Sequence, residues 1–147
     1  MILKGSLGNL LAIFWDLKSK PWNLHTKKSP NQNEIFYFWR SWKSYRILLL
    51  RNQALTEYEF GCGTGHNLFR VEETNPTVNI VGLDWAESSQ RGIEDINRVY
   101  GRNFGSHNFD FFNIDEDYKL DQNSGVYTFA ALEQVGESHE DFLDYLI

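Results

Sequence analysis

A chain of 147 residues is about one domain, and 41% apolar with 16% aromatic residues supply a core and exclude a disordered chain. Cys62 is the only cysteine, so no internal disulfide forms and a reducing, cytoplasmic setting is expected. The net charge of −6 is divided: residues 1–52 carry nine basic residues against two acidic, giving +7, and the remainder carries five against eighteen, giving −13.

Such asymmetry marks either a surface for acidic partners or a solvated basic cap docked on an acidic domain, and the second is the plainer reading. The apolar stretch over residues 7–15 contains Gly8 and Asn9, lacks a small-residue cleavage site and is too short to cross a bilayer. No leader peptide and no membrane span are expected.

In chain order, "SLGNLLAIFWDLK" over residues 6–18 reads as a helix, and a loop punctuated by Pro21 and Pro30 follows. Ile35, Phe38, Trp39, Trp42, Tyr45 and Leu49 recur at helical spacing and predict a second helix over residues 34–51. Its aromatics are expected to pack on the rest of the chain, capping the site, with the basic residues left in water.

From Leu55 onward the pattern becomes strand, turn, helix, repeated. "LTEYEF" is a strand, "GCGTG" a turn and "HNLFRVEET" a short helix that stops before Pro76. "VNIVGLD" is a second strand, with Val78, Ile80, Val81 and Leu83 suited to burial on both faces. A longer helix covers residues 86–100 and stops at Gly101. "NFDFFNI" over residues 108–114 is a third strand and "GVYTFAAL" over residues 125–132 a fourth, and a last helix begins near Ser138. Strands alternating with helices indicate a Rossmann-like α/β fold, a parallel sheet with flanking helices. The domain division is a helical cap over residues 1–54 and an α/β domain over residues 55–147. Because the chain ends at Ile147 inside an apolar helical pattern with no cap, a longer protein is expected, with the fold truncated before its last strands.

Three glycines in "EFGCGTGHN" give one spot unusual backbone freedom directly after a strand. A strand that ends in such a turn and opens a helix is a nucleotide-binding arrangement. The dinucleotide form needs G-x-G-x-x-G, whereas Gly61, Gly63 and Gly65 are spaced G-x-G-x-G with His66 in the sixth position, which counts against NAD.

With Glu59 two residues before the first glycine, the stretch resembles the first motif of class I S-adenosylmethionine-dependent methyltransferases. "VGLDWAESSQ" matches the family's second landmark, an acidic residue at the end of the second strand. More narrowly, "EFGCGTGHN", "GLDWAESSQ" and "ALEQVG" resemble a bacterial group of sugar or lipopolysaccharide-biosynthesis methyltransferases. The resemblance covers residues 55–147, and residues 1–54 match a variable N-terminal cap only loosely.

The resemblance implies S-adenosylmethionine as cofactor. Gly61, Cys62 and Gly63 would lie against its methionine and ribose portions and Gly65 would complete the turn. Glu59 would anchor the turn and bias it toward the cationic amino group, and Asp84 would accept two ribose hydroxyls. Trp85 covers the adenine face or, equally, is a core indole. At the third strand Asn113 and Asp115, with Ile114 between them, are the candidates for the adenine edge or simply solvated loop residues. Thr128, Phe129 and Ala130 would line the methyl-transfer site, and Glu133 reads as a helix-start residue.

Methyl transfer needs mainly a nucleophile held close and aligned, with a base where the nucleophile is an oxygen. His66, beside the turn, is the candidate base, with packing or capping as its alternative. His25, His107 and His139 are scattered and suggest no metal.

The leading expectation is an O-methyltransferase of a small molecule or glycan. An RNA or protein methyltransferase, or a non-catalytic cofactor-binding module, is the alternative. The family sheet continues with a fifth strand and a reversed hairpin, which would lie beyond Ile147. "TFAA" stands where amino-directed nucleic-acid methyltransferases carry an N-P-P-aromatic signature, so a nucleic-acid partner is not the leading expectation, while O- and C-directed enzymes stay open.

Overall fold

The computed structural model describes residues 2–4, 10–14, 54–136 and 139–146. Six strands form one sheet among these residues: β1 (Ile2–Lys4), β2 (Leu10–Phe14), β3 (Thr56–Phe60), β4 (Asn79–Asp84), β5 (Gly105–Asn108) and β6 (Ser124–Phe129). Their order is β1-β2-β6-β3-β4-β5, parallel throughout except for the antiparallel β1–β2 pair. The helices are α1 (His66–Thr74), α2 (Glu87–Tyr100) and α3 (His139–Tyr145), with a 3-10 turn over Leu132–Gln134.

Each face of the sheet buries its own cluster. Leu68 and Val71 of α1 and Ile93 of α2 pack with Ile80, Phe104, Tyr127 and Cys62 on one face. Opposite them, Tyr58, Phe60, Leu83, Phe109 and Val126 meet Phe142 of α3. Phe60 and Phe142 are fully buried, and Phe60 meets Phe109 edge-on at 4.7 Å and Phe142 at 4.9 Å. Burying each such ring contributes roughly 1.5–3 kcal/mol, and each favourable ring pair about 0.5–1.5 more. This is why α3, only two turns long, holds its place.

The strand-turn-helix repeat expected from Leu55 onward is present. β3, α1, β4 and α2 fall within a residue or two of their predicted bounds, and Gly101 closes α2 in the left-handed region at φ 64. Asn97 then steers the chain into β5, donating from Nδ2 to the Phe104 carbonyl at 2.8 Å and accepting its N–H on Oδ1 at 2.9 Å.

Three predicted elements differ. The fourth strand, expected over residues 125–132, ends as β6 at Phe129, where Ala130 turns left-handed and a 3-10 turn follows. Part of the helix expected over residues 6–18 is instead β2, paired in parallel with β6 from Leu10 opposite Gly125 to Phe14 opposite Phe129. A short apolar run reads equally well as helix or strand. Here β6 offers an open edge, and the ladder satisfies the backbone of five residues at once. The third strand was expected over residues 108–114 but ends where that run begins. β5 pairs only as far as β4 extends, with Asp84 opposite Asn108. The aromatic run beyond it becomes a turn in which Phe109 and Phe111 are buried at 2% and 7% exposure while Phe112 stays in solvent. The helix expected over residues 34–51, its capping role and the loop before it lie outside the described residues, as does most of the segment assigned to a cap over residues 1–54.

Candidate functional site

The order of connections sets where a site can form. From β3 the chain moves outward through β4 to β5, then returns across both to β6 on the other side of β3. Neighbouring strands whose connections leave in opposite directions open a crevice at their carboxyl ends, and that crevice is the ligand position of open parallel sheets. The glycine turn, residues 61–65, stands on the carboxyl end of β3 at this point.

The three turn glycines serve different purposes. Gly61, at φ 75, would put a Cβ 2.2 Å from the Ala131 Cβ, so it is glycine because the segment after β6 presses on it. Its N–H and that of Cys62 both donate to the Leu83 carbonyl, at 2.7 and 3.0 Å, and so extend the sheet. Gly65, at φ 74, is the N-cap of α1, and a Cβ there would touch Ile93, Ile96 and Leu68 at 3.4–3.5 Å. Gly63 differs: at φ 53 it has nothing within 4 Å of its Cβ position and is exposed. Gly101 and Gly136 are likewise left-handed with nothing within 4 Å, so what sets Gly63 apart is its place at the carboxyl end of β3 and its bond to Asp84.

Asp84 ends β4 and is 8% exposed. Oδ2 accepts the Gly63 N–H at 2.8 Å and Oδ1 accepts the Ala86 N–H at 3.0 Å. The carboxylate therefore fixes both the turn and the start of α2, with lone pairs remaining on each oxygen for a further donor. Gln90 of α2 braces the same strand end, donating from Nε2 to the Asp84 and His107 carbonyls at 2.9 and 3.1 Å. Trp85 is 71% exposed, which removes the core alternative and leaves the indole free beside Asp84.

Glu59 has no exposure, and burial pushes its carboxyl up to about 8. Asn67 donates to it from Nδ2 at 2.7 Å and the Tyr127 hydroxyl at 3.2 Å. The Cys62 thiol is 3% exposed and raised far above its ordinary range by the same desolvation, so it is an inert packing group. His66 is exposed at the first position of α1, with Nδ1 3.3 Å from the Thr64 hydroxyl.

At the end of β6, Thr128 is fully buried and its hydroxyl has no hydrogen-bond partner among the described residues. Phe129, 41% exposed, and Ala130, left-handed at φ 57, follow it at the crevice. A non-glycine residue in that region stores strain of the order of 1–3 kcal/mol, which the Gln134 Nε2 bond to the Ala130 carbonyl at 2.6 Å helps to hold. Glu133 falls in the 3-10 turn.

Asn113 and Ile114 lie in the loop after β5, and Asp115 returns to that strand, its Oδ2 3.6 Å from His107 Nε2. The Asn113 N–H donates to the Asp110 carbonyl, and Asp115 accepts the Asp117 N–H on Oδ1. Asn113 and Ile114 line a groove of about 540 Å³ that runs between this loop and Asp141, Asp144 and Tyr145 of α3. Asp110, expected inside the third strand, instead starts the turn after β5, its Oδ1 accepting the Phe112 N–H at 2.9 Å. The Phe109 N–H donates to the Asp84 carbonyl at 3.0 Å, one bond past the β4–β5 ladder.

No family model matches the chain, and no curated protein matches it. Solved structures do. PKMT2 from Rickettsia typhi in complex with AdoHcy is 21% identical over 65% of this chain and 18% of its own, with a TM-score of 0.48. SAM-bound CalS10, an amino pentose methyltransferase from Micromonospora echinaspora, is 21% identical over 71% of this chain and 48% of its own, with a TM-score of 0.47. The S-adenosylmethionine-dependent methyltransferase SibL in its apo form is 14% identical over 70% and 32%, with a TM-score of 0.48. The chain thus spans less than half the length of each of these structures, and at these scores the likeness carries no argument beyond the geometry above.

Proposed function

We propose that the chain is the cofactor-binding part of an S-adenosylmethionine-dependent methyltransferase acting on an oxygen of a small molecule or glycan. The observation that carries this reading is the pairing of Gly63 with Asp84. An open left-handed glycine and a buried carboxylate with spare lone pairs face one crevice at the reversal of the sheet order. A cofactor bearing two ribose hydroxyls fits that donor demand. Gly63 and its neighbours in the turn would hold it, Asp84 would accept from the ribose, and Trp85 would cover the base. The cofactor would supply a methyl group already activated on a sulfonium.

The chain's own residues then have a modest task. Phe129 and Ala130 shape the floor where an acceptor approaches, and His66 is the candidate base for an acceptor hydroxyl. The charge of −13 beyond residue 52 favours a small acceptor over a polyanionic nucleic acid. Calorimetric titration of the chain with S-adenosylhomocysteine is the test. Saturable binding of one ligand per chain is expected. No heat and no protection of the turn amides at millimolar ligand would refute the reading.

A further inference from the structure

Glu59 is the buried ionisable group that the proposed reaction leaves without a task. Its carboxyl sits beneath the glycine turn at 0% exposure, and its partners Asn67 and Tyr127 are nearly as buried at 3% and 1%. Asn67 lies in the first turn of α1, and its bond to Oε1 at 2.7 Å joins the residues that flank the turn on either side. Tyr127 ties the same carboxyl to β6 at 3.2 Å. Gly65, as N-cap, offers α1 no side-chain cap, so the Glu59–Asn67 bond fastens the start of the helix to the end of β3.

The groups that face Glu59 are Asn67 and Arg70 from α1, Tyr127 from β6, Asp84 from β4 and Cys62 from the turn. Both direct partners are neutral, and the Asp84 carboxylate repels a second negative charge. The exposed Arg70 guanidinium reaches the carboxyl through Asn67, donating to its Oδ1 at 3.4 Å, so that it offsets the least. A fully desolvated carboxylate is costly when two neutral donors and one indirect, exposed cation compensate it.

We propose that Glu59 is a positioning residue, clamping the two ends of the glycine turn as an uncharged acid rather than meeting the cofactor's ammonium as a carboxylate. The proposal rests on the cofactor reading for its consequence and on the Glu59–Asn67–Tyr127 geometry for its substance.

Three variants of the full chain test it. Glu59→Gln keeps the volume and an acceptor for Asn67, and its amide, like the O–H of the neutral acid, donates to the Tyr127 hydroxyl once that hydroxyl turns from donor to acceptor. Glu59→Ala removes both, and Asn67→Leu removes the clamp while leaving the carboxyl in place. At pH 7, Glu59→Gln should bind S-adenosylhomocysteine about tenfold more tightly than Glu59→Ala, with Asn67→Leu as weak as Glu59→Ala. Carbon-13 NMR of the side-chain carboxyl in the ligand-free protein should show Glu59 protonated at neutral pH.

Glu59→Gln binding as weakly as Glu59→Ala, or a carboxyl titrating near its ordinary value, overturns the clamp and restores a charged ligand. Should Glu59→Ala fail to fold, Asn67→Leu is compared with Glu59→Gln instead. A wild type that binds no S-adenosylhomocysteine refutes the cofactor reading alone. The carboxyl titration, with amide protection of residues 61–65 kept in Glu59→Gln and lost in Asn67→Leu, then still decides the clamp.

Discussion

Replacing Asp84 with alanine removes the acceptor of two backbone N–H groups, Gly63 at 2.8 Å and Ala86 at 3.0 Å, from a position only 8% exposed. A hydrogen bond to an ionised group contributes about 1.5–3 kcal/mol. The Gly63 N–H lies in an exposed part of the turn and regains water, which offsets part of its loss. The Ala86 N–H opens α2 and has no side-chain cap to replace the carboxylate. Together these give an expected loss of about 2–4 kcal/mol, large against the roughly 5–15 kcal/mol of a typical domain but short of unfolding it at 25 °C. Urea unfolding followed by circular dichroism reads the stability, and calorimetry with S-adenosylhomocysteine reads the ligand. Asp84→Asn should lose less, because its carbonyl still accepts one N–H while its amide confronts the other. A loss below about 0.5 kcal/mol together with unchanged affinity would refute the reasoning, since neither the bonds nor the spare lone pairs would then matter.

The turn glycines should separate by assay. Gly61→Ala, which drives a methyl to 2.2 Å from the Ala131 Cβ, should cost more than the 1–3 kcal/mol typical of overpacking, roughly, and lower the melting temperature. Gly63→Val should keep its far-ultraviolet spectrum, because nothing lies within 4 Å of its Cβ position and the left-handed strain at φ 53 costs only about 1–3 kcal/mol, yet lose the ligand; retained binding would detach the turn from the cofactor. Stability should also fall as pH rises from about 4.5 to about 8, because the folded state holds the Glu59 proton after the unfolded chain has released it. The slope is at most about 1.4 kcal/mol per pH unit, and Glu59→Gln should remove this contribution; an identical pH profile in the variant would return Glu59 to an ordinary carboxylate.

What the sequence alone determines here is whatever a short window contains. The strand, glycine turn and helix of residues 56–74, the second strand with its terminal Asp84, and the stop at Gly101 each carry a local cause. Those causes are alternation of apolar residues, freedom at positive φ, or the lack of a continuing pattern. Only tertiary structure decides where the cause lies elsewhere in the chain. Leu10–Phe14 is a strand because β6 offers an edge more than a hundred residues later. β5 stops at Asn108 because β4 stops at Asp84, and the aromatic run that looks like strand is drawn into the cluster around Phe142 instead. The same holds within the site. The spacing of three glycines marks a turn, but only the neighbours tell them apart: Ala131 claims Gly61, Ile93 and Leu68 claim Gly65, and open space remains at Gly63. Glu59 reads as a charge in the sequence, whereas its burial beneath Asn67 and Tyr127 makes it a neutral strut, because desolvation depends on what surrounds a residue and not on its neighbours in the chain.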